Sequence, residues 1–152
     1  MLAKLDAIDR QIINLLQENG RRPNADISRT IGLSESSVKN RVDRLIKNNV
    51  IKVSAVLNPE AMGFKANALI GVCVLPGKAD YVGEELSAIN EVLYVSFITG
   101  RYDLLIEVLM RDPSELYGFI STHVHKIPGI VSTETYYVMR THKFDYEWKL
   151  PE

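Results

Sequence analysis

The side chains between residues 36 and 47 are of types and at spacings suited to reading a nucleic acid. At about 100° per residue on a helical wheel, Ser36, Asn40, Asp43 and Lys47 fall in one row, with Ser37 and Arg44 beside it and Lys39 and Arg41 on the flanks. Val38, Val42, Leu45 and Ile46 then point the other way, as the apolar face of the same helix. Short hydroxyl, amide and guanidinium groups are the ones that meet base edges or hold phosphates. The same row also fits a plain solvated helix face, and Asp43 opposes the nucleic-acid reading because it repels phosphate.

A second point of interest is Gly100-Arg101-Tyr102-Asp103, placed where two apolar segments turn back on each other. Glycine there supplies a positive φ, so ordinary turn chemistry accounts for it without a ligand. Other signals fail. His123 and His125 are two apart on an expected helix, hence on different faces, and His142 has no Cys or Glu pair nearby. Ser36-Ser37-Val38-Lys39 fits a bare S-x-x-K, yet the partner motifs S-D-N and K-T-G are missing. No phosphate loop, dinucleotide fingerprint or zinc-protease motif occurs, so no cofactor and no metal are expected. Cys73, the one cysteine, reads as a small hydrophobe in a buried strand. Tyr146 and Trp148 are exposed or packed at an interface.

The elements that must position these groups change in kind along the chain. Asp6 caps a first helix with Ile8, Ile12, Leu15 and Leu16 at helical spacing, closed by Asn19-Gly20. Pro23-Asn24 opens a second, holding Ile27 and Ile31 and ended by Gly32. Ser34 caps the third, and Asn49, tolerant of the left-handed region, follows it. The short link Gly32-Leu33 allows only a tight corner, which makes a helix-turn-helix unit. Residues 51–56 are β-branched and apolar and predict a short strand, followed by a hinge at residues 58–63. Strands are expected at 68–75, 92–99, 103–110 and 131–139, and helices at 79–90 and from Asp112-Pro113-Ser114 to Pro128-Gly129. The order β-α-β-β-α-β is the split, ferredoxin-like arrangement. The fold class is therefore α+β: a helix-turn-helix (winged-helix-like) domain at 1–50, a strand and hinge linker at 51–65, a ferredoxin-like domain at 66–144 and a tail at 145–152.

Composition agrees with this plan. The chain has 152 residues, 46% hydrophobic and 24% charged, with a net charge of −1, as in ordinary globular proteins. That charge hides an asymmetry: residues 1–59 carry +4 and residues 60–152 carry −5. A basic first part points to an anionic partner for that part. The longest apolar run is far shorter than the ~20 residues of a membrane span, and the first residues lack an export signal. The expected location is cytoplasmic, with no membrane partner.

The segments LDAIDRQIINLLQENGRR, ISRTIGLSESSVKNRVDRLIKNNVI and ITGRYDLLIEV resemble the Lrp/AsnC family, the feast/famine transcription regulators, over roughly residues 4–142. The pairing of GLS-x-x-x-V-x-x-RV-x-RL with a later TG-x-YD-LL carries the resemblance. It implies a DNA-binding domain joined to a ferredoxin-like domain that dimerises and senses amino acids, with dimers often assembled into octamers. It makes Ser34, Ser36, Ser37, Asn40, Arg41 and Arg44 the DNA-facing set, with Lys39 and Lys47 on the same helix and Arg21 placed to touch phosphate. It also implies an effector pocket at Gly100, Arg101, Tyr102 and Asp103, together with Ser132, Thr133, Glu134 and Thr135 of the last strand, supplied by a neighbouring subunit. A glycine turn offers N–H groups to a ligand carboxylate, and Asp103 offers an acceptor to its ammonium.

The function expected from this resemblance is that of a DNA-binding, amino-acid-responsive regulator of double-stranded DNA, self-associated as a homodimer or octamer and without catalytic activity. Two rivals differ in class. Sirohaem decarboxylases are similar in two-domain plan, but this chain reads IKVSAVLN in place of their R-x-G-A-N-F type segment and lacks their His/Tyr-rich segment. The other rival is an architectural, nucleoid-type DNA binder indifferent to small molecules.

Overall fold

The computed structural model describes residues 5–143, which form two compact units, one before and one after residues 56/57. The expected tail at 145–152, with Tyr146 and Trp148, lies outside the described residues.

The first unit is made of α1 (Ala7–Glu18), α2 (Asn24–Ile31) and α3 (Glu35–Lys47). Asp6 and Asp9 cap α1 reciprocally: the Asp9 N–H donates to Asp6 Oδ1 at 2.7 Å and the Asp6 N–H to Asp9 Oδ2 at 3.3 Å. Gly32 ends α2 at φ +72°, a left-handed conformation that glycine adopts without Cβ strain. Ser34 then caps α3, its hydroxyl accepting from the Ser37 N–H at 3.2 Å. Past the end of α3, Asn49 takes φ +54°, and the Val50 N–H returns to the Leu45 carbonyl at 2.9 Å. Ile12, Ile13, Ile27, Val38 and Leu45 make the core that fixes the three helices. Ile46 is a correction: expected on the buried face, it is 43% exposed, because it lies beside the inward row and the small core closes over Val38 and Leu45 first.

The strand expected at 51–56 is not formed; among the described residues of this unit there are three helices and no strand. A strand needs a neighbour for its N–H and C=O groups, and among the described residues no second extended segment of this unit pairs with it.

The second unit contains a short 3-10 turn (Glu60–Met62), β1 (Ala66–Val74), α4 (Ala79–Ser87), β2 (Val92–Phe97), β3 (Leu104–Met110), α5 (Pro113–Thr122), a second 3-10 turn (Val124–Lys126) and β4 (Ile130–Tyr137). The expected helix to Pro128-Gly129 thus divides at His123 into α5 and a tighter turn. The sheet runs β2-β3-β1-β4, all pairs antiparallel. Ala66, Ala68, Ile70 and Val72 of β1 and Leu104, Ile106, Val108 and Met110 of β3 alternate inward against Val82 and Leu86 of α4 and Leu116 and Phe119 of α5. The opposite face carries Leu69, Leu105 and Leu109, with Tyr94 and Tyr136 exposed on it, and neither helix covers it. Cys73 lies on that face and is only half-buried, another departure from expectation.

Candidate nucleic-acid interface and ligand-binding face

The α3 face forms as its spacing predicts. Val38 and Leu45 are buried, while Ser36, Ser37, Lys39, Asn40, Asp43, Arg44 and Lys47 are exposed. Ser34 holds the start of the helix: its hydroxyl lies 3.1 Å from that of Ser36 and 2.8 Å from that of Ser37. Three hydroxyls therefore cluster at the positive end of the helix dipole, where an anion is favoured. Arg21 is exposed between α1 and α2, its backbone N–H turned to Asn19 Oδ1 at 2.9 Å.

The two arginines of α3 are placed differently from the rest of the expected set. Arg41 Nη1 donates to Asp6 Oδ2 at 2.6 Å and to Asp9 Oδ1 at 2.8 Å, and its side chain is 28% exposed. Arg44 Nη2 lies 2.7 Å from both oxygens of Asp9, with its side chain 51% exposed. Asp9 is buried at 2% side-chain exposure, so this carboxylate needs its cationic partners. Hydrogen bonding from Arg41, then from the Asp9 N–H, holds the Asp6 carboxyl below the ordinary aspartate range, and the same ion pairs raise Arg41 further above its ordinary value. The arginines thus tie α3 to the start of α1. Sequence reasoning missed Asp6 and Asp9 as their partners.

In the second unit, the loop Gly100 to Asp103 meets strand β4 of its own chain, not the strand of a neighbouring subunit that the resemblance implies. Gly100 takes φ +127° at the turn. Arg101 Nη2 lies 2.9 Å from Glu134 Oε2. The Tyr102 hydroxyl donates to Glu134 Oε2 at 2.5 Å, the Tyr136 hydroxyl donates to Glu134 Oε1 at 2.8 Å, and the two hydroxyl oxygens are 2.6 Å apart. These donors, Tyr102 first, hold the Glu134 carboxyl below its ordinary range. Burial of the ring, then the Glu134 carboxylate it donates to and the Tyr136 hydroxyl beside it, push the Tyr102 hydroxyl well above its ordinary value. Tyr102 can lie flat on the sheet because β1 has Gly71 beneath it: a Cβ there would come within 2.5 Å of the ring.

Other members of the expected pocket do other work. The Asp103 carboxylate accepts from the Val74 N–H at 2.8 Å, and the Asp103 N–H donates to the Val72 carbonyl at 3.0 Å, so this residue fastens the loop to β1. Ser132 and Glu134 share the open face, opposite Cys73 and Gly71, but Thr133 and Thr135 sit opposite Val72 and Ile70 on the helix side. Thr133 Oγ1 is 2.9 Å from His125 Nε2. Strand alternation therefore divides the four β4 residues that were expected to act together. Tyr136 was missed, although it lies two residues beyond Glu134 and hence on the same face. Among the described residues, no group of three or more His, Cys, Asp or Glu side chains is placed to hold a metal, and no helix is long and apolar enough to cross a membrane.

Comparison with known proteins identifies both units. Residues 5–46 match the AsnC-type helix-turn-helix domain, and residues 67–148 match the Lrp/AsnC ligand binding domain. The chain belongs to the Lrp/AsnC family. An HTH-type transcriptional regulator of Pyrococcus horikoshii is 42% identical over 144 residues, covering 94% of this chain and 91% of that protein. The leucine-responsive regulatory protein of Haemophilus influenzae is 34% identical over 139 residues, covering 89% of this chain and 84% of that one. Among solved structures, a transcriptional regulator of Neisseria meningitidis in complex with L-methionine superposes with a TM-score of 0.86 at 25% identity, covering 96% of this chain and 97% of that one. This Lrp/AsnC protein is a transcriptional regulator with a DNA-binding helix-turn-helix and a ligand-binding domain.

Proposed function

We propose that the chain regulates transcription by sequence-specific binding of double-stranded DNA through α3, and that a free amino acid modulates that binding. The observation that carries the first part is the two-sided character of α3: Val38 and Leu45 are fully or almost fully buried, while Ser36, Asn40 and Lys47 stand exposed on the far side. In helix-turn-helix proteins the second helix of the pair enters the major groove. Ser34, Ser36 and Ser37 at its start, Lys39 and Lys47 along it and Arg21 before α2 serve the phosphates, while Arg41 and Arg44, their charge balanced by Asp6 and Asp9, hold the helix in place.

The Arg101–Glu134 pair supports an amino acid as effector. It sets a cation and an anion side by side beside the Gly100 turn, with 74% and 39% of the two side chains exposed. A zwitterion matches both: its carboxylate meets Arg101 and turn N–H groups, its ammonium meets Glu134. The methionine bound to the Neisseria meningitidis relative is a ligand of this chemical class. A second copy of the chain is the natural cover for the open sheet face bearing Leu69, Leu105, Leu109, Tyr94 and Tyr136, because a sheet with one uncovered apolar face is incomplete as a layer. A homodimer, or an octamer built from dimers, then presents pairs of α3 helices. Its operators are near-palindromic, with half-sites about one helical turn, ~10 bp, or a multiple apart.

Selection of bound duplexes from a random pool, followed by calorimetry with each of the twenty amino acids, tests both parts. The expected result is an enriched two-fold motif and at least one amino acid whose saturable heat disappears in Glu134→Gln. Retention of DNA without any enriched motif would support an architectural role instead. No heat from any amino acid would reduce the Arg101–Glu134 pair to a structural contact.

A further inference from the structure

We propose that Asn40 and Asp43 are the base-reading pair of α3, Asn40 for adenine and Asp43 for cytosine. This inference rests on the DNA-binding reading above and names what that helix reads.

Asn40 and Asp43 are both exposed and sit in the row directly opposite Val38 and Leu45, the buried anchors of α3. They are therefore at the front of the helix when its back is packed. Arg41 and Arg44, the residues best suited to guanine, are drawn aside to Asp6 and Asp9. What remains at the centre is one amide and one carboxylate, three residues apart. That spacing separates them by ~4.5 Å along the axis, close to the ~3.4 Å step between base pairs.

The chemistry of each side chain selects a base. An amide both accepts and donates, and it matches the N6 donor and N7 acceptor of adenine. A carboxylate only accepts, and in the major groove it matches the N4 amine of cytosine. Asp43 forms no ion pair among the described residues, so its charge stays available. An unpaired carboxylate among phosphates lowers affinity for every duplex and is compensated only where a base donates to it. It therefore works mainly by rejecting wrong sites, at positions where guanine or thymine would present oxygen acceptors.

The test repeats the duplex selection with the full chain and with Asn40→Ala, Asp43→Ala and Asp43→Asn. The expected result is a wild-type motif with an adenine position and a cytosine position in each half-site. Asn40→Ala flattens the first and Asp43→Ala the second, each by about tenfold in base preference. Asp43→Ala also tightens binding to random duplex, which loss of folding would not do. Lys47→Ala serves as a comparison, weakening all sequences alike. A wild-type motif left unchanged in Asn40→Ala and in both Asp43 variants overturns the inference while leaving DNA binding by α3 intact. No motif from the wild type overturns both together.

Discussion

Arg44 Nη2 lies 2.7 Å from both carboxylate oxygens of Asp9, so the third helix is held to the start of the first by a buried anion. Arg41 shares that anion and extends to Asp6, the N-cap of the same helix. One carboxylate thus caps α1 and fixes the orientation of α3. Asp9→Ala removes an acceptor of two guanidinium groups and one half of the capping box. Hydrogen bonds to charged groups contribute ~1.5–3 kcal/mol, and the partly exposed Arg41 and exposed Arg44 recover part of their loss in water, so a cost of about 2 kcal/mol is expected. Hydrogen exchange checks it: the amides of α1 and α3 lose protection together, while those of β1 and β3 do not.

The same contact sets an acid dependence. Asp6 is held below its ordinary range by Arg41, then by the Asp9 N–H. A carboxyl depressed in the folded state stabilises at pH above its unfolded value of ~3.9, and that contribution is lost as pH falls through the folded value. Glu134 behaves in the same direction in the second unit, through Tyr102, Tyr136 and Arg101. Carboxyl NMR titration is the check, and both groups are expected to titrate below their ordinary ranges. Asp6 returning to its ordinary value in Arg41→Ala would identify the cause.

Gly71→Ala tests the seat of Tyr102. A Cβ at Gly71 comes within 2.5–2.7 Å of three ring atoms, so the ring must lift from the sheet. Such overpacking costs ~1–3 kcal/mol. The specific expectation is that Glu134 loses its first donor and its carboxyl rises toward the ordinary glutamate range. Near-UV dichroism and the Glu134 titration read the two effects separately.

Asp103 acts on the loop before it acts on any ligand. Asp103→Ala leaves the Val74 N–H without its acceptor, at a cost of about 1 kcal/mol, and Asp103→Asn, which keeps a side-chain oxygen, restores most of it. Urea titrations of the two variants measure the difference. Equal stability of Asp103→Ala and the wild type would show the bond to be dispensable.

Much of this was legible in the sequence because it is local. Ser34 as cap, Gly32 as stop, Asn49 beyond the end of α3 and the inward Val38 and Leu45 are fixed by residues within a few positions of one another. The β-α-β-β-α-β order followed from turns and periodicity in the same way. The arginine–aspartate contact was not legible, since its partners are 32 to 35 residues apart and depend on how two helices pack. The strand expected at 51–56 has the right residue types but no partner strand among the described residues, which no local pattern reports. The division of β4 was legible in principle. Alternation alone places Thr133 and Thr135 away from Glu134, and taking the segment as one run concealed it.

The central claim, that the exposed front of α3 is where this regulator holds DNA, is tested most directly by fluorescence anisotropy of a selected duplex over a range of salt concentrations. The full chain is compared with Asn40→Ala/Lys47→Ala, whose far-UV dichroism and thermal midpoint are measured alongside. The double variant is predicted to bind at least about tenfold more weakly, and its log–log salt slope to fall by roughly one for the lost Lys47 phosphate contact. Equal affinity and an equal salt slope in a folded double variant would contradict the claim and move the DNA-binding surface elsewhere on the chain.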